Sequence, residues 1–139
     1  MHSLQFPNRA QWHIRQVDEH AVGDWADYLR GATWALARNH ALNVGICCVI
    51  EGTMPIGGLS SSAAVIIAFL SALCRVNGIM LTPREMIDTA LAAEKDYVGV
   101  NVGKLDQSCE VFSKKGHLLY LDTRDDSFEL IPTNPVMKP

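Results

Sequence analysis

Residues 57–64 carry the sequence GGLSSSAA and join a predicted strand to a long apolar segment, SSSAAVIIAFLSALCRVNG. That segment predicts a helix that ends at Gly78 and is buried on several sides. Backbone N–H groups at a helix N-terminus lack intrahelical partners and lie at the positive end of the helix dipole, so they bind phosphate oxygens. Glycine allows close approach of a ligand, and serine hydroxyls add donors. The stretch is therefore a candidate phosphate loop, or else a glycine turn whose serines only cap a helix.

The other elements mix helices and strands without regular alternation, which is typical of an α+β fold. Residues from Leu4 to Arg15 are ambiguous between a strand pair and an extended lead-in. The first predicted helix has N-cap Asp24 and apolar residues Trp25, Tyr28, Leu29, Ala32 and Leu36 at helical spacing, and a strand is predicted over Asn43–Glu51. Two more helices are predicted, one from the Thr82/Glu85 capping box to about Lys95 and one over about Leu105–Phe112. The last predicted elements are strands at 116–123 and 127–132.

Two acidic residues follow in an arrangement that suits phosphoryl transfer. Asp106 lies at the start of a predicted helix, and Glu94 lies twelve residues earlier, near the end of the preceding helix. One carboxylate can hold or accept the proton of an attacking hydroxyl, and the other can ligate a magnesium ion that neutralises phosphate charge. Taken alone, the pair is equally compatible with a helix cap and a solvated surface glutamate.

These segments together resemble the GHMP kinases. GGLSSSAA resembles the second motif of that family, and its triple serine favours the galactokinase branch. Residues 93–107, AEKDYVGVNVGKLDQ, resemble the galactokinase pattern Ala-Glu-His-x-aromatic-x-Gly-x-x-x-Gly-Ile-Met-Asp-Gln with the same Glu-to-Asp spacing. Residues 25–28 (WADY) and 114–124 (KKGHLLYLDTR) resemble two further galactokinase segments. Pro55 is one residue closer to the Gly-Leu pair than is usual, which predicts a tighter entry to the loop.

The resemblance implies a fold and a set of roles. The fold is an incomplete two-layer α+β sandwich of the ribosomal protein S5 domain 2-like type. Asp106 matches the catalytic aspartate beside the sugar C1 hydroxyl, Gly103 matches a glycine of the sugar pocket, and Glu94 matches a magnesium ligand. Trp25 walls the adenine site or is a core tryptophan. The implied cofactors are ATP and Mg²⁺, with Ser62 as the second metal ligand and the ATP phosphates bound by Gly57, Gly58, Leu59, Ser60, Ser61, Ser62 and Ala63.

Lys104 departs from the family pattern, since galactokinases usually have an apolar residue there. Its charge, two residues from Asp106, could meet the carboxylate of a uronic acid or point to solvent. The sugar is therefore open between galactose and a sugar acid.

Residues 1–139 correspond to a partial N-terminal domain of such a kinase. The N-terminal segment that supplies most sugar contacts in galactokinases has no counterpart in residues 1 to 40, and neither the third motif nor the C-terminal domain is found. The sequence thus predicts part of an ATP-dependent kinase acting on the anomeric hydroxyl of a galactose-type sugar. Alternatives are a galacturonate kinase and a non-catalytic sugar and ATP sensor. The chain alone is expected to be inactive and prone to self-association through uncovered surface.

Composition narrows the partners further. The length of 139 residues, 48% of them hydrophobic, predicts a soluble globular domain. The net charge of −3 gives no basic surface that would favour nucleic acid or an anionic membrane as a partner. The longest apolar run, Ala63–Leu73, is too short to span a bilayer, and no secretory signal precedes it. Four cysteines lack metal-ligand spacing, which predicts reduced thiols and a cytoplasmic location. A Gly-Lys-Ser/Thr sequence is missing from the loop, which excludes a Walker-type fold.

Overall fold

The computed structural model describes residues 1–54 and 57–133. The described chain contains four α-helices, one π-helical segment and four strands, so the mixed α+β class is confirmed. The helices are α1 (Asp27–Ala37), α2 (Ser61–Asn77), α3 (Pro83–Ala92) and α4 (Leu105–Phe112), and the π-helix (Ala93–Val98) directly continues α3. The strands are β1 (His2–Ser3), β2 (Val49–Ile50), β3 (His117–Asp122) and β4 (Ser127–Pro132).

The strands form two separate pairs. β3 and β4 form the predicted antiparallel hairpin, whereas β1 and β2 form a short parallel pair. The strand predicted over Asn43–Glu51 is wrong for most of its length, because only Val49 and Ile50 are paired. The Asn77 side chain explains the difference: it accepts hydrogen bonds from the amides of Asn43 and Val44 and donates to the Val44 carbonyl, so these backbone groups have partners outside a ladder.

The ambiguous N-terminal segment is mainly a lead-in. After β1 it makes only isolated bridges, His2 with Arg9 and His13 with Gln16. Its Trp12 donates a hydrogen bond to Thr33 of α1 and packs its ring edge-on against Phe69 of α2. The lead-in is thus fastened to the helices by side chains rather than by strand pairing.

The core lies where the helices meet. Its largest fully buried apolar side chains are Leu29 and Leu36 of α1 together with Ile66, Leu70 and Leu73 of α2. α2 packs against α1, α3, α4 and the π-helix. The predicted burial on several sides is therefore confirmed, and Ala68, Ser71, Ala72 and Arg75 form one exposed face of α2.

The start of α1 differs from the prediction. The helix begins at Asp27, and Ala26 is the N-cap without a side-chain hydrogen bond, so Asp24 is not the cap. The cause is the Asp27 carboxylate, which accepts hydrogen bonds from the amides of Val22, Gly23 and Asp24 and folds the preceding loop back onto the helix. Asp24 instead accepts from the Ala26 amide at 2.8 Å and from the Arg30 guanidinium at 2.6 Å.

The remaining helix ends follow the sequence closely. Gly78 ends α2 with a left-handed backbone (φ +65°), as glycine at this position predicts. Thr82 and Glu85 form the complete predicted capping box at the start of α3. The helix predicted to end near Lys95 instead changes to π geometry at Ala93 and ends at Gly99. None of the helices in the described ranges has the length and apolarity needed to cross a bilayer.

Candidate phosphate loop and carboxylate site

The loop before α2 has an unusual backbone. Gly57, Gly58 and Ser60 all have left-handed conformations, with φ values of +98°, +76° and +56°. Glycine adopts such angles without steric cost, whereas a serine does not. The loop is solvent-exposed at both glycines and at Leu59, while Ala63, three residues further on, is fully buried and anchors the first turn of the helix. The loop is therefore an accessible backbone turn fixed to a rigid helix.

The serines of this loop do not cap their helix. Ser60 is the N-cap of α2, but its side chain makes no capping hydrogen bond. Its backbone carbonyl accepts from the Ala64 amide at 3.1 Å, and helix geometry leaves the amides of Ser61, Ser62 and Ala63 without a carbonyl one turn earlier in the helix. The alternative that serines merely cap a buried helix fails at Ser60. The first turn of α2 has instead the arrangement of an anion-binding helix terminus.

Glu94 is not a solvated surface residue. It lies in the π-helix with only 3% of its surface exposed, and its Oε2 accepts a hydrogen bond from Nε2 of Gln107. Gln107 is fully buried, and its Oε1 has no hydrogen-bond partner among residues 1–54 and 57–133. The structure thus joins Glu94 directly to the neighbour of Asp106.

Close packing of the π-helix on α1 holds Glu94 in place. A Cβ added at Gly31 would lie 2.8 Å from the Ala93 carbonyl oxygen and 3.0 Å from the Tyr97 ring, so only glycine permits this approach. Tyr97 also packs on Trp34 with ring centroids 5.7 Å apart and donates to the His20 carbonyl at 3.2 Å. π-Helical turns often occur at functional sites, and here the turn carries the buried glutamate.

Asp106 is also not a helix cap. The N-cap of α4 is Lys104, which makes no side-chain capping bond, and Asp106 is the second residue of the helix with a half-buried side chain. Burial raises the pKa of the nearby Cys109 thiol, and the charges of Asp106 and Glu110 raise it further. No hydrogen bond joins Ser62, Glu94 and Asp106 to one another in the described ranges, but the segments that carry Glu94 and Asp106 both pack against α2.

The electrostatics of Glu94 suit a cation. The ion pairs in the described part of the chain are Arg30 with Asp24 and Asp27, Lys104 with Asp126, and Arg124 with Asp122, so none of them neutralises Glu94. A buried carboxylate without a compensating charge is costly, and a divalent ion would supply that charge. The described residues contain no group of three His, Cys, Asp or Glu side chains placed to hold a metal. Ligands beyond Glu94 and Ser62 would therefore come from phosphate and water, as is usual for magnesium.

Lys104 is partly exposed, and the two alternatives for it, contact with a sugar acid or with solvent, stay predictions. Its ammonium group pairs with the Asp126 carboxylate in the β3–β4 turn, and Arg84 of α3 donates to the Asp126 carbonyl at 3.1 Å. No pattern in the sequence indicated this contact, because Asp126 is twenty-two residues from Lys104. Gly103, immediately before Lys104, is exposed, and a Cβ there would meet no atom within 4 Å.

Trp25 packs against the hydrophobic core. Its ring is half-buried and stacks in parallel on Phe6 of the lead-in, with centroids 6.2 Å apart. The role of Trp25 beside adenine stays a prediction, as does the sugar contact of Gly103. The tight loop entry predicted at Pro55 falls outside the described residues.

Gln107 is the residue whose role the sequence did not reveal. Its place in the Asp-Gln pair was visible, but nothing in the sequence indicated a buried contact with Glu94 thirteen residues away. Helix spacing offers a partial signal, because residues adjacent in a helix point about 100° apart, so Gln107 faces inward where Asp106 is half-exposed.

Comparison with known proteins connects this site to a family. Residues 27–114 match the family described as GHMP kinases N terminal domain. The galactokinase of Pyrococcus furiosus is 37% identical over 111 residues, covering 79% of this chain and 32% of its own length. The galacturonokinase of Arabidopsis thaliana is 37% identical over 118 residues, covering 83% of this chain and 28% of its own length.

A solved structure agrees with the sequence matches. The Lactococcus lactis galactokinase, determined in complex with galactose, superposes with a TM-score of 0.78 at 27% identity, over 84% of this chain and 30% of that protein. The galactokinase of Thermococcus kodakarensis is 32% identical over 95% of this chain and 37% of its own length. The 139 residues thus span about a third of the length of the curated relatives that they match.

Proposed function

This chain belongs to the GHMP kinase family, and from that premise we propose that it forms the phosphate-binding and catalytic-aspartate part of a galactokinase-like sugar kinase. The complete reaction transfers the γ-phosphate of ATP to the anomeric hydroxyl of a galactose-type sugar. The segment to which the family resemblance assigns most sugar contacts has no match in residues 1 to 40, so we assign catalysis to a full-length protein that contains this chain. The isolated chain is expected to bind ATP without turnover.

The residue roles follow from the chemistry of each group. The amides of the loop at 57–63 bind phosphate oxygens, because the helix terminus leaves them free and positively polarised. Asp106 holds the anomeric hydroxyl by a hydrogen bond or accepts its proton. Glu94 and Ser62 are the residues that would hold magnesium. When bound, the ion neutralises charge on the phosphates, which is the main demand of phosphoryl transfer.

One observation carries the proposal: a buried glutamate that has no cationic partner in the described ranges is hydrogen-bonded to the residue next to Asp106. A structural carboxylate with 3% exposure would ordinarily have a cationic partner, and the described ranges supply none for Glu94. A site for Mg²⁺ and ATP beside Asp106 accounts for the charge, the burial and the position together.

The sugar has two candidates. Galactose is supported by the galactokinases among the relatives. Galacturonic acid is supported by the Arabidopsis galacturonokinase, which is as similar as the Pyrococcus galactokinase. The Lys104 ammonium, whose charge was the sequence-based argument for the acid, is paired with the partly exposed Asp126 carboxylate. A purely sensing role is the third candidate, and the presence of Asp106, Glu94 and the serines weighs against it.

Turnover separates these candidates. The full-length protein is assayed for ATP consumption with galactose, galacturonic acid, arabinose and mevalonate. We expect turnover with galactose, and turnover restricted to galacturonic acid would establish the second candidate. Saturable sugar binding with no ATP consumption would contradict the kinase and support the sensor.

A further inference from the structure

Gln107 has a hydrogen-bond pattern that packing alone does not explain. Its side chain is fully buried, donates through Nε2 to Glu94, and leaves Oε1 without a partner in the described part of the chain. A buried acceptor without a donor destabilises a fold, whereas Leu or Met would fill the same space without an unpaired oxygen. The hydrogen bond to Glu94, rather than the volume of the side chain, therefore explains why a glutamine occupies this position.

The orientation of that amide is fixed by its partner. The NH₂ end of the Gln107 amide donates to Glu94, so the Oε1 of Gln107 is turned away from that carboxyl group. The hydrogen bond occupies Oε2 of Glu94 and restrains rotation of the carboxylate. The other oxygen, Oε1, has no protein donor in the described ranges and is left for a ligand.

We propose that Gln107 is a positioning residue that orients the Glu94 carboxylate toward the metal of bound metal–ATP. The inference rests on the proposed function, since it takes Glu94 as a metal ligand. Gln107 touches neither metal nor phosphate in this account and acts only through Glu94. Groups that orient a metal ligand in this way typically change metal affinity by about 10-fold or more when they are removed.

Calorimetry on the 139-residue chain can isolate this effect. ATP affinity is measured with EDTA and again with Mn²⁺, and the ratio of the two affinities reports the contribution of the metal. We expect Gln107→Leu to lower that ratio about 10-fold while metal-free ATP affinity stays unchanged. A general folding defect would lower both affinities together and leave the ratio intact.

Two variants and one control complete the test. Gln107→Met keeps the length of the side chain and should give the same loss as Gln107→Leu, with circular dichroism confirming the helices of each variant. Ser108→Ala is the matched control, because Ser108 is equally buried at the next position of the same helix but faces another direction. Its ratio should equal that of the unmodified chain.

Glu94→Gln separates failure of this inference from failure of the proposed function. If Glu94→Gln abolishes the metal contribution but both Gln107 variants behave like Ser108→Ala, the positioning role is overturned and the metal site stands. If metal makes no contribution in the unmodified chain, or Glu94→Gln leaves it unchanged, the metal site of the proposed function is overturned as well.

Discussion

Helices α2 and α3 both have a hydroxyl residue as N-cap, but only one of these residues caps its helix with its side chain. At α3, the Thr82 hydroxyl accepts from the Glu85 amide and the Glu85 carboxylate accepts from the Thr82 amide, so the terminus satisfies itself. At α2, three successive serines are available, yet the N-cap Ser60 makes no side-chain capping bond. The α3 terminus is therefore closed, meaning capped by its own side chains, whereas the α2 terminus is open, meaning without a side-chain cap at Ser60.

The difference comes from the backbone rather than from the residue types. Thr82 is extended (φ −65°, ψ 159°), which is the usual conformation of a capping residue and brings its hydroxyl over the first turn. Ser60 is left-handed (φ 56°, ψ 32°) and follows two left-handed glycines, so its side chain does not cap the helix. A serine-rich helix start is therefore a candidate ligand site when the entering loop prevents capping.

The largest expected effect is a loss of turnover when the candidate catalytic residue Asp106 is replaced. Asp106→Asn in the full-length protein should lower turnover about 100-fold or more, because the amide cannot accept the hydroxyl proton. ATP affinity should remain nearly unchanged, since Asp106 does not contact the loop in this account. Steady-state kinetics and calorimetry measure the two quantities, and wild-type turnover in this variant would remove Asp106 from the mechanism.

The loop backbone should show the next largest effect. Gly58→Ala forces a Cβ into a left-handed conformation (φ +76°) at a cost of about 1 kcal/mol, and we expect ATP affinity to fall about 5-fold as the loop relaxes. Gly78→Ala is the control, because Gly78 has a similar φ (+65°) at the far end of α2. It should lose comparable stability and keep its ATP affinity, and equal affinity losses in both variants would show that the loop has no special role.

At the capped terminus of α3, we expect a substitution to change stability but not ATP affinity. Thr82→Ala removes one bond of the capping box and should lower the free energy of unfolding by about 1 kcal/mol without changing ATP affinity. Ser60→Ala should change that free energy far less, because Ser60 does not cap its helix. Urea unfolding measures both variants. A larger loss for Ser60→Ala than for Thr82→Ala would reverse the comparison.

The smallest effect concerns the loop before α1 and depends on pH. A hydrogen bond from Arg30 lowers the pKa of Asp24 below its ordinary value of 3.8, against the opposing effect of burial. Asp24 therefore adds stability above its unfolded pKa, and that contribution is lost as pH falls through the lower folded value. The melting temperature of Asp24→Asn should be slightly below that of the unmodified chain at pH 6, and the gap should narrow at pH 3. A difference in melting temperature that widens at pH 3 would contradict a lowered pKa of Asp24 in the folded chain.

Local patterns in the sequence predicted the elements whose stability is local. The capping box of Thr82, the left-handed end of α2 at Gly78, helix α4 and the β3–β4 hairpin all depend on contacts within a few residues. The errors arose where a side-chain contact that the pattern does not show decides the outcome. Asn77 bonds the backbone of Asn43 and Val44 at the start of the predicted strand, and Asp27 displaces Asp24 as the organiser of the α1 start.

The same distinction applies to the candidate site. Glu94, Asp106 and the loop at 57–63 were found from spacing and family resemblance. Their burial and partners were not, because the contact of Glu94 with Gln107 and that of Lys104 with Asp126 both depend on how α4 packs against its neighbours. The roles of these site residues stay predictions, whereas the buried contact of Gln107 with Glu94 could not be predicted from the sequence.

Binding of the ATP phosphates at the uncapped terminus of α2 can be measured by titrating the ¹⁵N-labelled chain with ATP and Mg²⁺ while recording amide chemical shifts. We expect saturable shifts concentrated at the amides of Gly58 to Ala63, with the capped first turn of α3 unaffected. Shifts absent from residues 58–63, or equal at the two helix termini, would contradict this expectation.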